Sequence, residues 1–581
     1  MLGGATSRLS QTRLDLGGAD TVEPVSALRL DMSPLDYLIL ALYFATVLGI
    51  GFAARRAIRT SLDFLLSGRA LPAWVTGLAF VAANLGAIEI LGMAANGAQY
   101  GVATVHYYWV GAIPAMVFLG IVMMPFYYGS KVRSVPEFLR LRFNDSTHLL
   151  NAITFALSAV LIAGVNLYAL AIVMRAMLGW PLWVSICVAA AFVLVYIGLG
   201  GLSSAIYNEV LQFFVILAGL VPVVVIGLKE VGGWSGLEER VRGAQGGGEA
   251  YLHAWEGTGF GTGSNPIGAN WLGIIFGLGF VLGFGYWTTN FAEVQRALSA
   301  RNMSAARRTP LIAAYPKIFI PLVTVIPGLI ALVLIPQLGK EEAGADFEYN
   351  NAIPLLMERY LPSGVLGVAV TGLLAAFMAG MAANVSSFNT VFTYDIWQQY
   401  VRKDRPDEYY LKVSRWVTVA GVAIGIGTAF IAAGFSNIMN YLQTLFSLFN
   451  APLFATFILG MFWKRMTPKA GFWGLLSGTL ASLTLYILYK TGVVDFRSDL
   501  EESMWGAGLA FVVDIVVSVL VSLRTAPKPV EEIAALTYGG KGSATSKPTD
   551  LLKGDEAWYR SPVLLGAGAL VLSVVLYIPF F

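Results

Sequence analysis

Fourteen stretches of this chain are each apolar over about the 20 residues that a helix needs to cross the hydrocarbon of a bilayer. They cover about 36–54, 74–98, 104–127, 148–177, 181–199, 203–228, 269–295, 309–336, 363–400, 411–434, 437–461, 469–490, 503–523 and 561–580. Helices satisfy their own backbone groups in lipid, so the expected fold is an all-α integral membrane protein of about 14 transmembrane helices. The 363–400 stretch exceeds one crossing, and its end is expected to emerge as a cytoplasmic extension. At 57% hydrophobic and 13% charged residues, a soluble reading of 581 residues would demand one enormous core. The single Cys187 excludes a disulfide framework within the chain, and His106, His148 and His253 add too little for a Cys/His metal cluster. A net charge of +3 is too small to indicate nucleic acid as a partner. Residues 1–32 have no apolar core and read as a tail, not a cleavable signal.

Cations gather in alternate loops, and that fixes an orientation. Arg55, Arg56, Arg59 and Arg69 follow the first stretch, Lys131, Arg133, Arg140 and Arg142 the third, and Arg296, Arg301, Arg307 and Arg308 the seventh. Arg402, Lys403 and Arg405 follow the ninth, Lys464, Arg465 and Lys469 the eleventh, and Arg524, Lys528, Lys541, Lys547 and Lys553 the thirteenth. The opposite loops are neutral or acidic, as with Glu341, Glu342, Asp346 and Glu348. Positive loops stay in the cytoplasm, so both termini are expected outside a cell membrane that the chain crosses many times.

Two stretches carry polar or glycine-rich residues in their middles: Ala82-Ala83-Asn84-Leu85-Gly86-Ala87-Ile88-Glu89, and Gly283-Phe284-Gly285-Tyr286-Trp287-Thr288-Thr289-Asn290. Helices broken at membrane depth line solute or ion sites, because only a cavity, a ligand or a neighbouring helix can satisfy the freed backbone. The breaks fall in the second and seventh stretches, which suggests two five-helix units crossing in opposite directions as an inverted repeat. The division that follows is an extracellular tail 1–32, a first helix and cytoplasmic loop 33–73, and a first repeat 74–228. An extracellular loop 229–268, a second repeat 269–466, and C-terminal helices 467–581 with a cytoplasmic loop 524–560 complete it.

Glu89 lies in the second half of the first broken helix, where an uncompensated carboxylate costs about 2.5–3.5 kcal/mol, so it should face a cavity or a cation. It reads as functional or as a structural carboxylate bonded to the broken backbone. Glu209 reads equally as part of an ion path or as a helix-start charge. Glu293, beside Gln295 and Arg296, reads as half of an interfacial ion pair. In the ninth stretch the alanines and glycines suit close helix packing, whereas Asn384, Ser386, Ser387 and Asn389 bring oxygens that packing does not require. Hard cations such as sodium take oxygen ligands, and carbonyls freed at Ala82–Leu85 would add to them. Tyr286 and Trp287 offer an aromatic wall for a solute, or packing surface.

Read together, several motifs resemble the sodium/solute symporter family, and within it the branch of bacterial sodium/galactose symporters. They include Asp63-Phe64-Leu65-Leu66-Ser67-Gly68-Arg69, Ala82-Ala83-Asn84, Ser134-Val135-Pro136-Glu137-Phe138, Gly200-Gly201-Leu202 and Tyr286-Trp287. Gln295-Arg296, Asn389-Thr390-Val391-Phe392-Thr393-Tyr394-Asp395-Ile396 and Gly460-Met461-Phe462-Trp463-Lys464 extend them in fixed order. The resemblance implies the fourteen-helix form of the five-plus-five inverted-repeat fold, with solute and sodium beside the breaks. It puts sodium on the carbonyls of Ala82, Leu85 and Ala376 and on two serine hydroxyls, whose positions here are Ala379 and Gly380. Ser386 is two turns, roughly 10.5 Å, from Ala379 and cannot substitute directly. It puts the solute beside Asn84 and on Glu89, Tyr108, Gly111 and Gly283, of which none keeps the family's sugar-site residue, and on Tyr286 and Gln443, which do. Glu209 stands for an aspartate of the family's sodium path.

The expected function is sodium-coupled symport of a small organic solute, sugar-like or another polar metabolite, by alternating access. Tyr286 is expected just past a break at Gly283–Gly285, closing the site on its cytoplasmic side. Proton coupling, or a channel-like or sensory protein that keeps the fold, are the alternatives that the missing hydroxyls raise. No constellation of an enzyme stands out, and sodium is the only cofactor-like species implied.

Overall fold

A computed structural model describes residues 28–56, 58–244, 247–260, 265–340, 342, 347–434, 437–539 and 557–581. The tail to residue 27, Glu341, Asp346, Lys541, Lys547 and Lys553 lie outside the described residues. The secondary structure described is helical, apart from one isolated bridge between Leu71 and Ala300.

Among the described residues, eleven helices are long and apolar enough to cross a membrane, and two bent pairs bring the number to 13. In chain order the spans are α1 (Pro34–Arg55), α2 (Ala73–Asn84 with Ile88–Val105), α3 (Tyr107–Gly129), α4 (Asp145–Leu178), the short α5 (Leu182–Val195) and α6 (Gly201–Val231). They continue as α7 (Gly273–Thr289 with Phe291–Leu298), α8 (Met303–Leu334), α9 (Val365–Val401), α10 (Asp407–Ala432) and α11 (Ile438–Phe462). The last are α12 (Pro468–Lys490), α13 (Asp499–Arg524) and α14 (Pro562–Phe580). A total of fourteen is reached only by counting the shorter Leu182–Val195.

Side-chain caps set many of these helix starts. Ser33 and Asp36 form a capping box on α1, Asn144 caps α4 through the N–H of Thr147, and Asn437 caps α11 through Met439. Asp36 also accepts from the N–H groups of Gly364 and Gly367 at 2.7 Å each, which ties α1 to the start of α9. Gly201 separates α5 from α6 at φ 53°, and a Cβ there would strike the carbonyl of Phe64 at 2.6 Å. The most apolar part of α9 is 89% buried and that of α14 only 22%, so α9 is central and α14 peripheral. Outward faces carry apolar side chains such as Leu42, Val225, Trp416 and Val574, a coat suited to lipid.

The break in α2 falls where the sequence predicts it. The helix bends by 59° after Asn84, and Leu85 leaves the helical region at ψ 47°. The Gly86 N–H, which would continue the ladder to Ala82, turns to the Asn84 carbonyl at 2.8 Å. The Ala87 N–H is taken by Asn166 Oδ1 of α4 at 2.9 Å. The break in α7 is displaced from its expected place. The chain stays helical through Gly283–Gly285 and bends by 49° at Asn290, whose ψ is 111° and whose side chain caps the second half through Ala292. Gly283 and Gly285 serve close packing instead: a Cβ would meet the backbone of Gly111 at the first and of Asn450, at 3.0 Å, at the second. Tyr286 therefore precedes the break.

Candidate functional site

A cavity of about 60 Å³ opens beside the first break. By volume it has room for several waters or part of a small solute. Asn84, Glu89, Tyr286, Trp287, Lys317 and Gln443 line it among others, so the expected solute positions meet there, joined by Lys317, with one exception. Tyr108 is that exception. It stands behind the wall, fully buried, with its hydroxyl 2.9 Å from Thr324 Oγ1 and its ring 5.0 Å from the Lys317 ammonium. Its neighbour Tyr107 takes the lining position, together with Gly111 and Gly283.

Lys317 organises the cavity. Its ammonium pairs with the Glu89 carboxylate at 2.7 Å, donates to Asn84 Oδ1, and lies 5.2 Å from the Trp287 ring. Carboxylate, amide and aromatic faces together compensate a cation that would otherwise be costly at this depth. Glu89 is therefore half of an ion pair in the cavity wall. Lys317 was not singled out from sequence, although a lone lysine within the apolar stretch 309–336 was the available signal.

Tyr286 bars one side. Its hydroxyl accepts from Asn84 Nδ2 at 2.8 Å and donates to Glu293 Oε1 at 2.9 Å, while its ring packs against Phe446 of α11 with centroids 4.7 Å apart. Trp287 turns edge-on to it and stacks on Phe80 at 5.8 Å. Gln443, one helical turn before Phe446, lines the same cavity, and its Nε2 makes a long contact of 3.8 Å to Met439 Sδ.

Glu293 departs from the ion pair expected for it. It is buried and bonded to Tyr286, and Arg296 pairs instead with Glu209. Both members of that pair are fully buried, and Arg296 reaches the two carboxylate oxygens through Nε at 3.2 Å and through Nη2. Its Nη1 donates to the Ala292 carbonyl at 2.8 Å and to Gln295 Oε1 at 3.2 Å. Glu209 lies eight residues into α6, so it is not a helix-start charge; it joins α6 to the second half of α7.

The positions expected to hold an ion, Ala82, Leu85, Ala376, Ala379 and Gly380, are all buried, and α9 packs against the first half of α2. A Cβ on Gly86 would lie 3.3 Å from the Cα of Gly380. The Asn166 amide fills the space between them, and a Cβ at either glycine would overlap its oxygen. That oxygen accepts one bond, from Ala87, and an amide oxygen has a second lone pair. The Gly86 N–H that a continuous helix would give to the Ala82 carbonyl goes to the Asn84 carbonyl instead. Asn384, Ser387 and Asn389 are spent on helix and interhelical bonds: Asn384 to the Gly380 carbonyl, Ser387 to Asn384, and Asn389 to α10 through Ser414 and Thr418.

Comparison with known proteins follows the same lines. The sequence profile of the sodium:solute symporter family matches residues 64–478. A sodium/glucose cotransporter of Vibrio parahaemolyticus is 30% identical over 480 residues, covering 79% of this chain and 86% of that protein. Sodium/glucose cotransporter 4 of Homo sapiens is 29% identical, with 88% and 79% covered. The solved structure of a Na+-coupled sialic acid symporter, substrate-bound and outward-open, superposes with a TM-score of 0.71 at 19% identity over 86% of this chain and 99% of that one. This last likeness shows a common fold.

Proposed function

The chain belongs to the sodium:solute symporter family, and from that membership we propose that it carries a small, polar, net-neutral organic solute across the membrane with sodium, by alternating access. The observation that carries the solute class is the Glu89–Lys317 pair in the cavity wall. A carboxylate that accepts and an ammonium that donates, with Gln443 and Asn84 nearby, suit a solute with several hydroxyl or amide groups. Their charges cancel, so an anion or cation of the same size would gain little. Relatives named for glucose transport fit this class and make a sugar the first solute to try.

Sodium is supported by the geometry of the first break. The Ala82 and Leu85 carbonyls and that of Ala376 supply backbone oxygens regardless of side chain, and Asn166 Oδ1 stands where a hydroxyl on residue 380 would reach. Proton coupling through Glu89 has less support now that Lys317 neutralises this carboxylate. Tyr286, braced between Asn84 and Glu293, closes the cavity toward the cytoplasm when the cationic loops are inside and both termini outside. In this reading residues 74–228 and 269–466 rock against each other, and each ligand raises the other's affinity by the same factor.

Uptake of labelled glucose and other neutral polyols into proteoliposomes, under a sodium gradient alone and under a pH gradient alone, tests the proposal. Accumulation is expected with sodium only. Full accumulation in sodium-free buffer driven by protons would overturn the sodium assignment.

A further inference from the structure

Outside the solute cavity, α11, α12 and α13 enclose a second concentration of oxygen atoms. Glu502, on the first turn of α13, is 1% exposed, and neither of its carboxylate oxygens has a hydrogen-bond partner among the described residues. The Ser447 hydroxyl of α11 and the Ser482 hydroxyl of α12, both buried, lie 2.8 Å apart. All three groups face Gly506, one turn beyond Glu502: a Cβ there would lie 3.2 Å from Ser447 Oγ, 3.3 Å from Glu502 Oε1 and 3.3 Å from Ser482 Oγ. With no side chain at Gly506, three oxygens from three helices surround one point about 10 Å from the N-terminal end of α13.

A buried carboxylate requires a compensating charge. The nearby Lys490 does not supply one by contact, since its ammonium is half-exposed and paired with Asp499 at 2.9 Å. A proton would cancel the charge and still leave the acid O–H without an acceptor. A small hard cation among the three oxygens satisfies the carboxylate and uses the lone pairs of the hydroxyls. We propose that Glu502, Ser447 and Ser482 form a sodium site between α11, α12 and α13, separate from the ligands at the first helix break.

The place of these oxygens gives an ion among them a route to the gate. Ser447 is one turn from Gln443, which lines the solute cavity, and adjoins Phe446, which packs on Tyr286. On its other face α13 packs against α7, where a Cβ at Gly277 would meet the Met504 carbonyl at 2.6 Å. An ion drawing α11 and α12 toward α13 thus acts on both helices that carry the closure.

The test is equilibrium binding of radioactive sodium to the purified full-length protein, with sodium-induced thermal stabilisation read in parallel. Glu502→Gln removes the charge and keeps the shape; Gly506→Ala keeps every ligand and pushes a methyl among the oxygens. Both are expected to bind one sodium fewer per chain than wild type, to lose part of the sodium-dependent rise in Tm, and to need about tenfold more sodium for half-maximal uptake. Unchanged sodium stoichiometry in both variants, with water or a proton as the occupant, would overturn the site. So would a shift in pH dependence alone. Because binding is measured without transport, this failure is distinct from a failure of sodium-driven uptake, which would strike the proposed function instead.

Discussion

The Lys317 ammonium lies 2.7 Å from the Glu89 carboxylate, facing the backbone break that ends the first half of α2. Neither group is tolerable here without the other. Breaking a buried pair by removing one partner costs about 3–5 kcal/mol, mostly the penalty of the charge left behind. We expect Glu89→Gln and Lys317→Met each to lower the melting temperature and abolish solute binding. The double variant should regain much of the stability and none of the binding. Melting curves and equilibrium solute binding on all four proteins check this. A double variant less stable than both single ones would mean that the two residues do not act as a pair.

Tyr286 offers both a ring and a hydroxyl to the proposed closure, and the two can be separated. Tyr286→Phe keeps the packing on Phe446 but leaves Asn84 and Glu293 without their shared partner, and a hydrogen bond to a charged group is worth about 1.5–3 kcal/mol. Solute affinity is expected to fall about tenfold or more in Tyr286→Phe and further in Tyr286→Ala, where the ring area is lost as well. Equal affinity in wild type and both variants, measured on purified protein, would remove Tyr286 from the site.

How much of this was legible in the sequence differs by residue, for physical reasons. Asn84, Glu89 and Tyr286 stand in the two stretches whose middles are polar or glycine-rich, Gln443 is implied only by the family resemblance, and the structure brings all four to one cavity. Lys317 escaped because a single cation hardly lowers the mean hydropathy of a long apolar stretch, although its cost in lipid marks it strongly. The second break lies at Asn290, later than Gly283 and Gly285 suggest. In lipid the ladder survives glycine, and here Gly283 and Gly285 exist for contact with α3 and α11. The pairing of Glu209 with Arg296 joins residues 87 positions apart, a distance over which spacing carries no information.

That pair should hold α6, about two turns from its start, to the second half of α7. Arg296 engages both carboxylate oxygens and spends its remaining donors on Ala292 and Gln295, a forked arrangement that an ammonium cannot reproduce. Arg296→Lys is therefore expected to cost a few kcal/mol, on the order of the 3–5 kcal/mol for a broken buried pair, and Glu209→Gln a similar amount. Thermal unfolding in detergent reads both. A melting temperature within a degree or so of wild type for Arg296→Lys would show that the fork contributes nothing.

The last prediction concerns the residue that occupies the gap between the break and α9. A serine at position 380 would place its Cβ against the Asn166 oxygen, so restoring the hydroxyl characteristic of the family is expected to destabilise the protein by crowding, not to improve sodium affinity. Removing the amide should do the reverse to the packing but take away an oxygen and the acceptor for the Ala87 N–H, so Asn166→Ala is expected to raise the sodium needed for half-maximal uptake at least tenfold. Combining the two changes exchanges one side-chain oxygen for another in the same space. Asn166→Ala with Gly380→Ser should therefore recover sodium affinity that each single variant lacks, as a non-additivity well above the ~0.5 kcal/mol seen for independent sites. Sodium titrations of uptake on the three variants decide it: effects that simply add would place Asn166 outside the ion's coordination and leave it as the support of the broken backbone.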